Sequence, residues 1–458
     1  MLFDTLSTAQ LLAVIAILGY VTISRMLKTE SSYPPQVSGT FPWVGSSIGF
    51  TLRRSKFLTY CKMRYGSVFQ LLLGGRHLTV VASAEAIHNV LVSDYGVLTP
   101  RTQAYHVFRA IGSDASLYPK LYDIASQDLF LLLDKRFTKQ ALSDFTPEFA
   151  EVFFNKLKQF NNHQQISLRQ SLTEPLYIAA NAILLGTRFP PDTYNDYMTF
   201  NNSIPNRLSL CPFWPFPSTR ARERLLKHMS KYVEDADVTN VDDKLGASFI
   251  EIFHERKLTN KEGAYLILSF MIALHMNVFN FGGIHQFIAH VDPENLQSSS
   301  FTLLHSTILE TLRMSSLLTG LRDAGHAFDL RDGEKVTPIQ KGEHIIGFTW
   351  AVHRDESAYP DAHKFVVDRF IQLDSMMQIP SKAYFPFGAG KNSCKGRLLA
   401  IFEIKVLAII YLSLFDVTPV RQGYGSSKWE PPRPSPQSTG TIHTSDDIVV
   451  MLRSRFDV

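Results

Sequence analysis

The sequence predicts a mainly α-helical chain with small β-sheets, behind an apolar N-terminal segment. Three observations predict it: an uncharged apolar run over Ala9–Ile23, a two-stranded hairpin pattern between Ser67 and Val81, and a second long apolar run over Tyr265–His290. The 458 residues are 45% hydrophobic and 19% charged, so a large core is available and extended disorder is not expected. That length suits one large domain or about three average ones. Only Cys61, Cys211 and Cys394 occur, an odd and sparse set that argues against a disulfide framework and fits a reducing compartment. A net charge of +4 is too mild to imply nucleic acid, and no finger motif or basic repeat appears, so no nucleic-acid partner is expected. No internal repeat is visible.

The first run, extended by Leu2, Phe3 and Leu6, reaches the ~20 residues needed to cross ~30 Å of hydrocarbon. A cleaved signal peptide would show a basic leader and a small-residue cleavage site, and neither is clear here. Arg25, Lys28, Arg53, Arg54 and Lys56 follow the run while Asp4 precedes it, which places the bulk of the chain in the cytosol. Residues 1–28 are therefore expected to form a membrane anchor. Residues 29–45, stiffened by Pro34, Pro35 and Pro42, form a linker, and residues 46–458 the main domain.

That domain opens with strands at Ser67–Leu73 and His77–Val81 around Gly74-Gly75-Arg76, followed by a helix over Ala84–Val92. Arg101–Tyr118 has weak periodicity and reads as loop. Between Asn201 and Thr219, Pro205, Pro212, Pro215 and Pro217 preclude a regular helix. With Phe213, Trp214 and Phe216 this stretch is either an apolar loop able to dip into a bilayer or an ordinary buried loop. The Tyr265–His290 run would span ~40 Å as a helix. His275, Asn277, Asn280, His285 and Gln286 argue for a core helix over a second membrane span. Glu310 and Arg313 share a helix face and can pair.

The stretch Phe385–Arg397 (FPFGAGKNSCKGR) delivers one cysteine, Cys394, on a glycine-rich loop that runs into an apolar helix beginning at Leu398. Gly388, Gly390 and Gly396 let the backbone turn sharply and approach a flat surface. The position of Cys394 just before a helix start favours a thiolate. Phe387, Gly390, Cys394 and Gly396 fit the pattern Phe-x-x-Gly-x-x-x-Cys-x-Gly, and here the sequence resembles the cytochromes P-450, or haem-thiolate monooxygenases. Glu310-Thr311-Leu312-Arg313 resembles that family's Glu-x-x-Arg. Phe365–Phe370 (FVVDRF) resembles its Phe-x-Pro-Glu-Arg-Phe, with Val367 and Asp368 as departures. His353-Arg354-Asp355 and Tyr359-Pro360-Asp361 add to the likeness.

The resemblance implies a cytochrome P-450 fold with an N-terminal transmembrane helix, and a haem b whose iron takes the Cys394 thiolate. Phe387, Gly388 and Gly390 would lie against the cofactor, and Arg322 would hold a haem propionate. Lys135, Arg136 and Lys139 are further basic candidates for a propionate. Glu310, Arg313 and Arg369 would form a buried network bracing the cysteine loop. Ala273–Asn277 (ALHMN) and Asn392 resemble the branch that includes prostacyclin synthase and sterol 7α-hydroxylase. The family's usual acid–threonine pair on the central helix is missing, with Phe279 and Asn280 in its place, so Asn277 and Asn280 are the candidate catalytic residues. Only 36 residues separate Ala273 from Glu310, a shorter connection than the family's.

The implied function is oxidation of a hydrophobic small molecule of terpenoid, sterol, alkaloid or polyketide type, in specialised metabolism, with O2. Electrons would come from an NADPH-dependent flavoprotein reductase, and Lys391, Lys395, Arg397 and Lys405 would give it a basic docking face. The implied location is the endoplasmic reticulum membrane, crossed once, with the catalytic domain in the cytosol. Two alternatives stay open: a haem-thiolate isomerase or dehydratase acting on an oxygenated substrate, and a non-catalytic haem-binding membrane protein.

Overall fold

The computed structural model describes residues 34–37, 44–92, 98–160, 164–208, 218–235, 244–279, 300–371, 379–380, 382–420, 438, 440 and 447–456. The expected anchor, most of the expected linker, the aromatic part of the proline-rich stretch and residues 280–299 lie outside them. Among the described residues, no helix is long and apolar enough to cross a membrane.

The domain is mainly helical with three small sheets. β1 (Val68–Leu73) and β2 (Arg76–Val81) form the expected hairpin. Gly74 and Gly75 take φ of +55° and +79°, the left-handed pair that a two-residue turn needs to match strand twist. β2 pairs in parallel with β8 (His344–Gly347), which carries β5 (Arg322–Ala324) and then β3 (Leu98–Thr99). A second sheet joins β4 (Gln164–Ser167), β10 (Val449–Ser454) and β9 (Phe415–Pro419), and β6 (Phe328–Asp332) pairs with β7 (Lys335–Ile339).

Helix α1 (Ala84–Val92) has the expected bounds and buries Ala86, Ile87, Val90 and Leu91, one face of a 3.6-residue period. Arg101–Tyr118 is not the expected loop, because α2 (Arg101–Ala110) occupies most of it. Its stabilising partners lie far along the chain. Thr102 N–H donates to Asp323 Oδ2 at 2.8 Å, taking one of the free amides of the first turn, and Gln103 Oε1 accepts from Leu321 N–H at 2.9 Å. Tyr105 packs against Tyr118 and Tyr122 with ring centroids 5.4 and 6.2 Å away.

Beyond α3 (Lys139–Leu157), α4 (Leu168–Leu184) and α5 (Thr219–Glu234) comes the central helix α6 (Asn260–Phe279). It starts five residues before the predicted Tyr265, at a reciprocal cap. Glu262 Oε2 accepts from Thr259 N–H at 2.8 Å, and Thr259 Oγ1 accepts from Glu262 N–H at 3.2 Å. Along α6, Met271, Ile272, Leu274 and His275 are buried while Ala273 between them is exposed, so one face of a core helix looks onto an opening. His275 faces the packed side. Its Nε2 lies 3.1 Å from Asn181 Oδ1, and its ring sits 4.9 and 5.4 Å from those of Tyr177 and Tyr197. Burial pulls its pKa down to about 3, so it is a neutral core residue. Helix α7 (Ser300–Ser315) and helix α8 (Arg397–Leu414) complete the framework around the cysteine loop.

Candidate functional site

Two charges on α7 organise the site. Glu310 and Arg313 have side chains 0% exposed, and they pair bidentately: Arg313 Nε to Glu310 Oε2 at 2.7 Å, and Nη2 to Oε1 at 2.8 Å. Glu310 Oε1 also accepts from Arg369 Nε at 2.9 Å and from Val366 N–H at 3.0 Å. Two guanidiniums against one carboxylate leave an excess positive charge in the interior, which backbone carbonyl dipoles offset. Arg313 donates to the carbonyls of His353, Ala362 (2.8 Å) and Lys364 (3.2 Å), and Arg369 to those of Pro360, Asp361 (3.1 Å) and Lys364 (3.2 Å). Tyr359 lies under the Arg313 guanidinium, its ring centroid 5.0 Å from Cζ. The i, i+3 spacing and the FVVDRF segment therefore meet in one buried network, as the sequence implied.

His353, fully buried, passes this rigidity on. Its Nε2 must accept, because Phe385 N–H donates to it at 2.9 Å. The ring proton is then on Nδ1, which donates to Arg313 C=O at 3.1 Å. Burial, helped by the charges of Arg354 and Arg313, lowers the His353 pKa to about 3 and keeps that tautomer neutral. Two tyrosines add to the link: Tyr359 O–H donates to Ala383 C=O at 3.0 Å, and Tyr384 O–H to Leu309 C=O at 2.9 Å. Residues 383–385, the entry to the cysteine loop, are thus bonded to α7 and its partners at three points.

The loop itself is folded by its glycines. Gly388 and Gly390 both take φ +67°, and a Cβ at Gly390 would stand 2.2 Å from Leu91 O at the end of α1. Cys394 N–H donates to Phe387 C=O at 2.9 Å, closing the turn. Asn392 Nδ2 donates to Leu98 C=O at 3.2 Å, tying the far end to β3. Gly396 departs from expectation: its φ of −84° needs no glycine, and a Cβ there would approach only Cys394 Sγ, at 3.9 Å. A second correction concerns the thiol. Burial pushes the Cys394 pKa up, outweighing the Gly396 amide and the charges of Arg397 and Lys395 that draw it down. α8 begins three residues later, at Arg397, too far for its N-terminus to dominate. The Cys394 side chain is nonetheless exposed, and a sulfur that is exposed yet surrounded by protein faces an opening inside the fold.

Arg322 stands beside this opening. It is 5% exposed on β5, donates to Leu321 C=O at 3.1 Å and, weakly, to Asn392 C=O at 3.4 Å, and has no salt bridge among the described residues. Of the other basic candidates, Arg136 Nη2 donates to Ser248 Oγ at 3.3 Å, whereas Lys135 and Lys139 are exposed. The expected basic face is reduced, since Lys395 pairs with Asp134 and Lys405 is half-buried, leaving Lys391 and Arg397 exposed. Asn277 belongs to the last turn of α6, and Asn280 lies outside the described residues. The role of His353 is not legible in the His353-Arg354-Asp355 motif, because a tautomer depends on two partners 40 and 32 residues away.

A family model described as Cytochrome P450 matches residues 34–278 and 283–434. The chain belongs to the cytochrome P450 family. Curated relatives include cytochrome P450 26B1 of Xenopus tropicalis, 26% identical over 83% of this chain and 80% of the relative. Cholesterol 7-alpha-monooxygenase of Cricetulus griseus is 22% identical over 85% and 88% of the two chains, and lanosterol 14-alpha demethylase of Mycosarcoma maydis 21% over 98% and 93%. A solved structure titled retinoic acid bound cyanobacterial CYP120A1 superposes with a TM-score of 0.71 at 19% identity, covering 92% of this chain and 99% of that one, which shows the same fold. As a cytochrome P450 the protein is a monooxygenase, an oxidoreductase that carries haem with a cysteine thiolate on the iron.

In this cytochrome P450 the buried network is structural, and removing one member leaves an uncompensated charge at a cost of ~3–5 kcal/mol. Glu310→Ala and Arg313→Ala are expected to lose haem and soluble fold together, read as haem per polypeptide and yield after ultracentrifugation. Full haem content with only slower turnover would contradict the burial of the pair.

Proposed function

We propose that Cys394 is the axial ligand of the haem iron and that the chain oxidises a hydrophobic small molecule at the opening beside it. The observation that carries this reading is the pairing of an exposed sulfur on a glycine-shaped loop with Arg322, a buried cation tied to the same loop through Asn392. The donor set fits the cofactor: one thiol for the iron, a loop turned at Gly388 and Gly390 to lie against the macrocycle, and a guanidinium with no salt bridge among the described residues for a propionate. Haem, when bound, supplies the activation of O2. The chain's own part is to hold the sulfur, with the Gly396 amide directed at it, and to keep water from the apolar side along Ala273.

We further propose that Asn277 holds an ordered water that carries protons into the site, since the central helix lacks an acid–hydroxyl pair and a carboxamide relays protons poorly itself. Terpenoids, sterols, alkaloids and polyketides suit the opening, and the sterol names of two relatives support a polycyclic body. Residues 1–28 serve as a single membrane anchor of the endoplasmic reticulum type, 29–45 as linker and 46–458 as the catalytic domain. An NADPH-dependent flavoprotein reductase would dock near the exposed Lys391 and Arg397.

Reduced protein under carbon monoxide is expected to show the thiolate-type Soret band, and Cys394→Ser to abolish it. A normal band in Cys394→Ser would refute the ligand assignment. With reductase in membranes, Asn277→Ala should keep the carbon monoxide band while lowering product formed per NADPH and raising peroxide release. Unchanged coupling would remove Asn277 from the mechanism.

A further inference from the structure

The first two helices of the described domain carry apolar side chains on the face turned away from the core. In Arg54–Tyr65 the inward stripe is complete without them. Leu58 and Cys61 are 0% exposed, and Phe57 and Tyr65 pack beside them against a core that includes Phe69, Val80 and Phe348. Arg54 also turns inward, donating from Nε to Phe50 C=O at 3.2 Å with its Cζ 4.6 Å from the Phe50 ring. Phe57 seats the shorter helix Ser47–Leu52, since a Cβ on Gly49 would meet its ring at 2.7 Å. The core therefore needs nothing apolar from the opposite side of the longer helix.

Tyr60 and Met63 nevertheless stand on that opposite side, 58% and 83% exposed, with Leu52 at 62% and Ile48 at 56% on the shorter helix. Met63 and Leu52 are the most exposed large apolar side chains among the described residues. Single apolar residues on a surface are ordinary, but four on two helices packed together form a patch. Three exposed cations, Arg53, Lys56 and Arg64, are interleaved with them, and none has a salt bridge among the described residues. Lys62, half-buried, is near Asp355. No acidic residue occurs in the sequence between Glu30 and Glu85, so nothing along this stretch offsets the charge.

We propose that this face of the catalytic domain, centred on Tyr60 and Met63, lies on a membrane surface rich in anionic lipid. The mixture of apolar and basic side chains selects that occupant. Arg53, Lys56 and Arg64 have stems long enough to follow Tyr60 and Met63 inward while their charges stay among the headgroups. A tyrosine at such a boundary keeps its ring in the apolar layer and its hydroxyl in the polar one. A docking protein would have to supply both a shaped apolar socket and matched carboxylates, whereas a fluid anionic bilayer meets both demands with no fixed geometry. The contact belongs to the folded domain itself, so it goes beyond the single anchor proposed for residues 1–28.

The test is photo-crosslinking of the full haem-loaded chain in vesicles, with p-benzoylphenylalanine in place of Met63 or, as a control, of the exposed Val336 on β7. The vesicles are phosphatidylcholine alone or with about 30% phosphatidylserine, and vesicle-bound chain is floated before irradiation. With phosphatidylserine, position 63 is expected to form lipid adducts at about fivefold or more the yield in phosphatidylcholine alone, and position 336 only background. About 0.5 M NaCl should bring the two yields together. Arg53→Glu, Lys56→Glu and Arg64→Glu combined should do the same while haem content stays at the wild-type level, with glutamine at the three positions if reversed charges impair folding. Lipid adducts at position 63 no higher than at position 336 overturn the proposal, and equal yields in the two lipids overturn its anionic part. A crosslink from position 63 to another copy of the chain overturns it in favour of self-association. Flotation only with phosphatidylserine would strike the anchor reading of residues 1–28 and leave this one standing.

Discussion

The carboxylate of Glu310 is the constraint on which the rest of the structure depends. It accepts four hydrogen bonds, from Arg313 twice, from Arg369 and from Val366, with no access to water. A lone carboxylate at that depth would carry a desolvation penalty of several kcal/mol. The two guanidiniums repay it, and the carbonyls of His353, Pro360, Ala362 and Lys364 absorb the charge left over. These carbonyls belong to irregular backbone between Thr349–Val352 and Phe370. The ion network thereby fixes a segment that has no ladder of its own, and His353 transmits the fixed position to Phe385.

Much of this was legible in the sequence, for reasons that differ by element. The β1–β2 hairpin and α1 are local: a Gly-Gly turn and one apolar stripe suffice, and their bounds were read within a residue. Glu310, Arg313 and Arg369 were legible only through the family resemblance of their motifs, since a Glu-x-x-Arg spacing alone is common on helix surfaces. α2 was missed because its capping group, Asp323, lies 221 residues away in sequence. The early start of α6 was missed although Thr259 and Glu262 carry the capping-box spacing. The thiol of Cys394 was expected to be acidified by a helix start, a local argument that burial overrides. Which of the loop glycines the turn itself needs was likewise not readable: Gly388 and Gly390 take positive φ, whereas Gly396 does not.

One buried cation in this cytochrome P450 has no salt bridge among the described residues. It is Arg322, near the cysteine loop, and its setting suits a cofactor that brings its own anions.

The central claim is that the ion network holds the cysteine loop through His353, and amide hydrogen exchange reports it most directly. In His353→Ala, protection should fall across residues 383–396 while the amides of α8 stay as slow as in the wild type. Unchanged exchange at Phe385 and Cys394 in that variant would contradict the claim and show that the loop stands on its own turns.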